Sequence, residues 1–390
     1  MNRRAGSAEM VLRVIGRSEV LPEPVRQRAR AELPFAIDFE LSDSIEGLQR
    51  VVSKPDSFDV YHQWHTSDLM WTARGIQAIE LDRIVGGREI TAAVRRRVSD
   101  RGGNDTLFDK LFVQPNGALG PVPTNRMTML PSLHGVDSFA FHTDIYKTID
   151  PEEPQSWSWL VDRRWAGKTA ILSDPVLGMI EAALAMEAHE RITFANVGNL
   201  TIDDIDLVAD FLVRLKRLGQ FRRTWRNYQE AAALMRRGVL VQSMFYPGYV
   251  LLQRKGLPIM MSDPVEGMRG WHLDICISSV ADGPVLDAAY AYLNWWHAGW
   301  PAACLSRQGY YATFPEQVRD HLTKEEWGYW YCGEPALYDL PDPTGRLSVP
   351  MGHRRAGGSH RERMSRVRVW NTFMDEHNYL MRRWREIVTV

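Results

Sequence analysis

The chain has 390 residues, is 45 % hydrophobic and 24 % charged, and carries a formal net charge of -1. That length exceeds one ordinary core and points to about two to three domain-sized units, and the composition excludes disordered and collagen-like classes. With so little net charge there is no overall field to attract nucleic acid or an anionic bilayer, so no nucleic-acid partner is expected and recognition must be local.

The start, Met1-Asn2-Arg3-Arg4, has the basic residues of an export signal, but Gly6-Ser7-Ala8-Glu9 stands where its apolar core would be, so no signal peptide is read. Met10 to Ile15 then predicts a strand, Glu23 to Leu33 a helix, and Phe35 to Phe39 a strand. Ser42 to Val52 follows as a helix capped by Ser42 or Asp43, and Phe58 to Tyr61 as a buried strand. This β-α-β-α-β rhythm implies a parallel sheet with crossover helices, which places ligands at the carboxyl ends of its strands. The pattern breaks at Gly102-Gly103-Asn104, and the Pro- and Gly-rich Gln114 to Asn125 reads as loop.

Met127 to Leu133 and Ser138 to Phe141 predict two strands flanking His134-Gly135. Beyond them come the helical Ser156 to Leu160, a strand at Thr169 to Leu172, and helices over Pro175 to Met186, Thr201 to Leu218 and Thr224 to Arg237. Val239 to Phe245 and Trp271 to Ser278 read as strands, and Val285 to Ala298 as an aromatic helix. His353 to Arg368 is basic and contains Gly357-Gly358, the pattern of a solvated loop, and Val369 to Val388 carries an apolar helical stripe. Cys276, Cys304 and Cys332 form no close pair, which leaves a Cys304–Cys332 bridge and free thiols as the two readings and argues against a metal–cysteine site. No run of about 18 apolar residues occurs, which excludes a membrane-spanning helix.

Enzyme signatures fail where they can be tested. Gly167-Lys168-Thr169 resembles the end of a phosphate-binding loop, but Asp162 occupies the upstream glycine position. There is no GxSxG elbow, HExxH helix or GxGxxG turn. His62 and His65 could approach a metal only from opposite faces of a strand. A Cys304–His297 dyad has no orienting third residue in the sequence. No catalytic residue, metal or cofactor is therefore expected.

Several segments, taken in order, carry a resemblance. Leu12 to Glu19 looks like a first strand and its ligand-contacting turn, and Phe58-Asp59-Val60-Tyr61 with Gln63-Trp64-His65-Thr66 like a "YDVV" strand and its cleft loop. Leu130 to Gly135 resembles a "P-x-x-x-G" crossing, and Ser156-Trp157 to Leu160 with Trp165 to Lys168 an "SW-x-x-L…(Y/F)-x-G-K" signature. Leu172-Ser173-Asp174-Pro175 is similar to a "DDP" loop, and Gly309-Tyr310-Tyr311 with Pro315 to a "GY-x-x-P" turn. From about Val11 to about Pro315 the chain thus resembles the bacterial spermidine/putrescine-type extracellular solute-binding proteins, the substrate-binding subunits of ABC importers.

The resemblance implies an α/β, two-lobed periplasmic-binding-protein-like (type II) fold, each lobe a mixed, mainly parallel sheet flanked by helices. It implies a first lobe from residues 10–134, a second from 135–272, and a return to the first over 273–390 with a C-terminal helical extension. Function would be capture of a small molecule by closure of the lobes and presentation to a membrane permease, by a monomer and without catalysis. Periplasmic or extracellular localisation follows from the resemblance alone, and the unread signal peptide leaves the cytoplasm open. Ligand-binding positions would be Arg17, Ser18, Glu19, Trp64, His65, Thr66, His134, Asp174, Phe245, Tyr246, Trp271 and His272. Trp157, Trp295 and Trp384 are read as core anchors, Trp64 and Trp271 as ligand aromatics.

Departures from the pattern bear on the ligand. Polyamine binders of this family use aromatic walls and carboxylates, since desolvated ammonium groups need anionic partners. Here Asp174 matches, but Leu177 stands at an acidic position, Arg17 at an aromatic one, Phe245 at a common tryptophan, and His272-Leu273 precede Asp274. Arg17 is either an anion-holding group or a solvent-facing turn residue. The expected ligand is zwitterionic or anionic, amino-acid-like or a conjugate. A polyamine binder proper, a thiaminase-like transferase using Cys304, and a non-exported sensor are the alternatives.

Overall fold

The computed structural model describes residues 10–42, 44–64, 68–91 and 110–389. The signal-peptide reading of the first nine residues, the Asp43 cap, the Gly102-Gly103-Asn104 break, His65 and Thr66 lie outside them. The chain divides into two compact units: Met1–His134, His272–Ser306 and Tyr310–Thr323 form the first, and Gly135–Trp271, Arg307–Gly309 and Lys324–Val390 the second.

In the first unit the strand Val11–Gly16 pairs in parallel with Ala36–Leu41 on one side and Val60–Gln63 on the other. The helix Glu23–Glu32 connects the first two strands and buries Val25 and Ala29, one turn apart on its apolar face. Residues 274–277 of the strand Met268–Ser278 extend the sheet antiparallel to Val60–Gln63. The helix Gly283–His297 buries Tyr292, Leu293 and Trp296. Leu119–Gly120, within the segment expected to be loop, is a short strand of a small antiparallel sheet with Phe112–Val113.

In the second unit Thr169–Leu172 pairs in parallel with Phe221–Trp225 and with Val241–Met244, which runs antiparallel to residues 138–141 of the strand Leu130–His142. The helix Pro175–Glu190 starts at Asp174, whose side chain accepts from the Val176 and Leu177 amides. The helix Ile202–Arg217 starts at a Thr201–Asp204 capping box. Against both packs the C-terminal helix His377–Thr389, inserting Leu380, Trp384 and Ile387 into one apolar core with Met179, Ala183 and Leu212. The Trp384 indole donates to the Ser173 carbonyl at 2.9 Å, and the absence of a Cβ at Gly178 leaves room for its ring.

Several sequence expectations change. Leu130–His142 is one continuous strand rather than two, because Gly135 stays extended and serves as a bare surface for the Trp271 ring, which a Cβ there would meet at 2.5 Å. Phe221–Trp225 is a strand, and Asn227 caps a shorter helix, Tyr228–Arg236. Val367–Trp370, rich in β-branched residues, is a strand paired with Met268–Gly270, so the last helix begins only at His377. The stretch expected to be a solvated loop contains the helix His360–Ser365 and buries Arg355 and Arg363. Residues 324–390 pack with the second unit, where the C-terminal helix finds its core, rather than returning to the first. Trp157 and Trp384 are core residues, but Trp295 is half-buried, its indole donating to Glu32. All three cysteines are free, Cys276 and Cys304 buried and Cys332 exposed.

Candidate ligand-binding residues

In the first unit, Arg17, Ser18 and Glu19 form the turn that leaves the carboxyl end of Val11–Gly16, closed by Val20 and Leu21 amides donating to the Arg17 carbonyl. The Arg17 guanidinium meets Glu19 through two hydrogen bonds, at 3.1 and 3.3 Å, and Ser18 donates to the same carboxylate at 3.2 Å. Burial pushes the Glu19 carboxyl up, but the Arg17 charge and these hydrogen bonds outweigh it and hold the group below its usual value. Trp64 leaves the carboxyl end of the adjacent parallel strand, Val60–Gln63. Its ring lies 5.7 Å beneath the Arg17 guanidinium and edge-on to Tyr310 at 6.3 Å. Arg17 is thus paired with its own neighbour Glu19 and lies over the Trp64 ring.

His272 and Asp274, two apart on one strand, share a face, and the His272 Nδ1 contacts the Asp274 carboxylate in a buried hydrogen bond. Gln63, opposite Asp274 in the register, donates to the same carboxylate at 3.4 Å. His134 is buried beside Tyr311, its partner in the strand register. His62 is held by Tyr292 at 2.8 Å and against Trp296, and burial lowers its pKa to about 3, so it is neutral. No group of three or more His, Cys, Asp or Glu side chains among the described residues could hold a metal ion. Cys304, the nucleophile of the transferase alternative, is buried inside the helix Trp300–Ser306, while His297 is paired with Gln317.

In the second unit, Asp174 is occupied as a helix cap. Phe245 follows Val241–Met244 and meets the Trp225 ring at 5.1 Å. Tyr246 packs on Trp330 and lies 4.9 Å from the Arg355 guanidinium. Gly309, at φ 88°, lets it approach, since a Cβ there would sit 2.6 Å from the Tyr246 ring. Trp271 is buried on Gly135, and its indole hydrogen-bonds Asp137.

Sequence reasoning missed a buried group beside Phe245. Arg269 is buried, its Nε 3.2 Å from Glu181, its Nη2 3.3 Å from Asp137, its Nη1 donating to Asn371 at 2.7 Å, and its guanidinium 5.9 Å from the Phe245 centroid. Burial raises Asp137 against the pull of Arg269 and pushes Glu181 up to about 7. The Arg269–Glu181 contact is close but not aligned as a hydrogen bond, which explains why burial prevails over the ion pair at Glu181. A hint was available: Glu181 interrupts an otherwise apolar face of a helix, and such a residue is buried only when paired.

No family model matches the chain, and no curated protein matches it. Solved structures do. The TpPotD lipoprotein of Treponema pallidum aligns over 97 % of this chain and 99 % of its own at 12 % identity and a TM-score of 0.64. The spermidine/putrescine ABC transporter substrate-binding protein of Streptococcus pneumoniae aligns over 97 % and 99 % at 12 % identity and a TM-score of 0.58. The binding protein AgtB of A. tumefaciens R10, solved with agropinic acid, aligns over 97 % and 99 % at 12 % identity and a TM-score of 0.55. At such identities the likeness speaks for the fold alone: this chain has the two-lobed α/β fold of the periplasmic binding proteins.

Proposed function

We propose that the chain is the substrate-binding component of an ABC-type importer, which captures a small polar solute and presents it to a membrane permease. The observation that carries this reading is a fold likeness spanning 97 % of the chain to a solved ABC transporter substrate-binding protein. The failed enzyme motifs and the buried Cys304 agree with capture without chemistry. Among the described residues no helix is long and apolar enough to cross a membrane; the proposed partner is a membrane permease. The proposed setting is periplasmic or extracellular, and the proposed working form a monomer.

The proposed ligand is zwitterionic or anionic, an amino acid or amino-acid conjugate, held by residues drawn from Arg17, Ser18, Glu19, Trp64, His134, Asp174, Phe245, Tyr246, Trp271 and His272. The state of the carboxylates supports this. Glu19 is engaged by Arg17, Asp274 by His272, Asp137 by Arg269, and Asp174 by two backbone amides. A polyamine needs anionic partners for each desolvated ammonium, and these are already committed within the chain. Isothermal titration with putrescine, spermidine, amino acids and amino-acid–sugar conjugates tests the proposal. Saturable binding of a zwitterionic or anionic compound, recovered unchanged, is expected, and binding confined to the polyamines would refute the ligand class.

A further inference from the structure

We propose that Arg269 is a built-in cation: its guanidinium fills, within the second unit, the place where the surrounding side chains would otherwise hold a ligand ammonium, and this makes the protein reject polyamines. The inference rests on the proposed function, because Phe245, Trp271 and Asp174 are taken as ligand-binding positions.

The side chains around Arg269 are those that recognise a cation. Glu181, from the helix Pro175–Glu190, approaches its Nε at 3.2 Å, and Asp137, from the strand Leu130–His142, its Nη2 at 3.3 Å. Asn371 accepts from its Nη1 at 2.7 Å. Phe245 presents a ring 5.9 Å from its central carbon, inside the range of a cation–π contact. Two acids, one amide oxygen and one aromatic ring together form an ammonium or guanidinium receptor, and Trp271 holds Asp137 in place by a hydrogen bond. The receptor is closed by the chain's own residue, which is 1 % exposed.

The charge balance gives the specificity. With Arg269 present, its single positive charge lies between Asp137 and Glu181, and burial raises both acids, Glu181 to about 7, so the guanidinium faces no surplus of negative charge that a second cation would neutralise. Asp174 adds its negative field at Glu181, and Arg355 and Arg363 their positive fields at Asp137. An ammonium brought to Phe245 or Trp271 meets a guanidinium already seated, a like-charge juxtaposition in a low-dielectric setting, which acts against cationic guests. A carboxylate carries no such penalty. Without Arg269, two buried acids and a ring are left without their cation.

The test is chemical rescue of the full-length Arg269→Ala variant, read as thermal unfolding with methylguanidinium and with methylurea, its uncharged counterpart of similar shape, at constant ionic strength. Arg269→Ala is expected to have a lower Tm, and methylguanidinium at about a hundredfold excess over its Kd to raise it by about 5 °C. Methylurea should leave the variant unchanged, and methylguanidinium should leave wild type and Arg269→Lys unchanged. Putrescine should bind Arg269→Ala at least about tenfold more tightly than wild type, a preference that follows from the vacated charge. Should Arg269→Ala fail to fold, the Arg269→Ala/Glu181→Gln double variant, which keeps the vacated space and removes one of the two acids left without a cation, replaces it with the same expectation. Equal responses of wild type and variant to methylguanidinium, or putrescine binding that is tightest in wild type, would overturn the proposal. Rescue of the variant alongside a wild type that captures no solute would uphold the seated cation and overturn the transport reading. Tight capture of putrescine by wild type would do the reverse.

Discussion

Glu181→Gln tests the energetics of the second unit's interior. Burial raises the Glu181 carboxyl from its ordinary 4.5 to about 7. Between those pH values the folded chain keeps a proton that the unfolded chain has released, so stability is fully present below about pH 4.5 and is lost as pH rises through 7. The slope is about 1.4 kcal/mol per pH unit, which accumulates to about 3 kcal/mol of stability lost by pH 8. Gln keeps the shape and the oxygen facing Arg269 but carries no titrating proton. Denaturant unfolding of both proteins at pH 5, 6, 7 and 8 should therefore show the variant gaining on wild type by about 3 kcal/mol across the range, with the change centred between pH 5 and 7. A stability difference that stays constant from pH 5 to pH 8 would refute the assignment of a buried, proton-holding Glu181.

Gly178→Ala would gain about 1 kcal/mol in an ordinary helix, but here the new Cβ would stand 2.3 Å from the Trp384 ring and 2.9 Å from the Leu172 carbonyl. It should instead cost roughly 1–3 kcal/mol in denaturant unfolding; a stabilised variant would contradict this packing. Thr201→Ala removes one half of the capping box on the helix Ile202–Arg217 and should cost about 1 kcal/mol by the same assay, with Thr201→Ser close to wild type. Thiol titration should find one reactive cysteine, Cys332, in the native protein and all three after unfolding without reductant; fewer than three in denaturant would indicate a disulfide.

The strand–helix alternation of the first sixty residues was legible because each element there is short, periodic and closed by a recognisable break. The failures have a common cause in tertiary context. Phe221–Trp225 is a partly exposed strand whose Arg222 and Arg223 hide any alternation, so its first residues carry no strand signal and the helical signal of the next segment takes in Thr224 and Trp225. Val367–Trp370 straddles the boundary between the basic stretch read as loop and a genuine helical stripe, which takes in Val369 and Trp370. Arginines are ordinarily exposed, and so Arg355 and Arg363 read as solvent residues. Their actual partners are aromatic rings and backbone carbonyls: Tyr246 and Trp330 with the Gly309 carbonyl for Arg355, and the Ala356 carbonyl for Arg363.

The candidate ligand residues divide in the same way. Arg17 and Trp64 could be paired in advance, since both leave the carboxyl ends of adjacent parallel strands. The Glu19 fork that neutralises Arg17 depends on side-chain geometry within a turn, which residue order does not reveal. Arg269, Asp137 and Glu181 come from a strand, a second strand and a helix far apart in sequence. Only the packed unit brings their charges together.

The most direct test of solute capture is a thermal-shift screen of the wild-type protein against amino acids, amino-acid–sugar conjugates, phosphonates and polyamines, with each stabilising compound assayed for chemical change. A zwitterionic or anionic compound that raises Tm in a concentration-dependent way and is recovered intact is the predicted result. Conversion of the stabilising compound into product, or a Tm that none of the four classes moves, would contradict it.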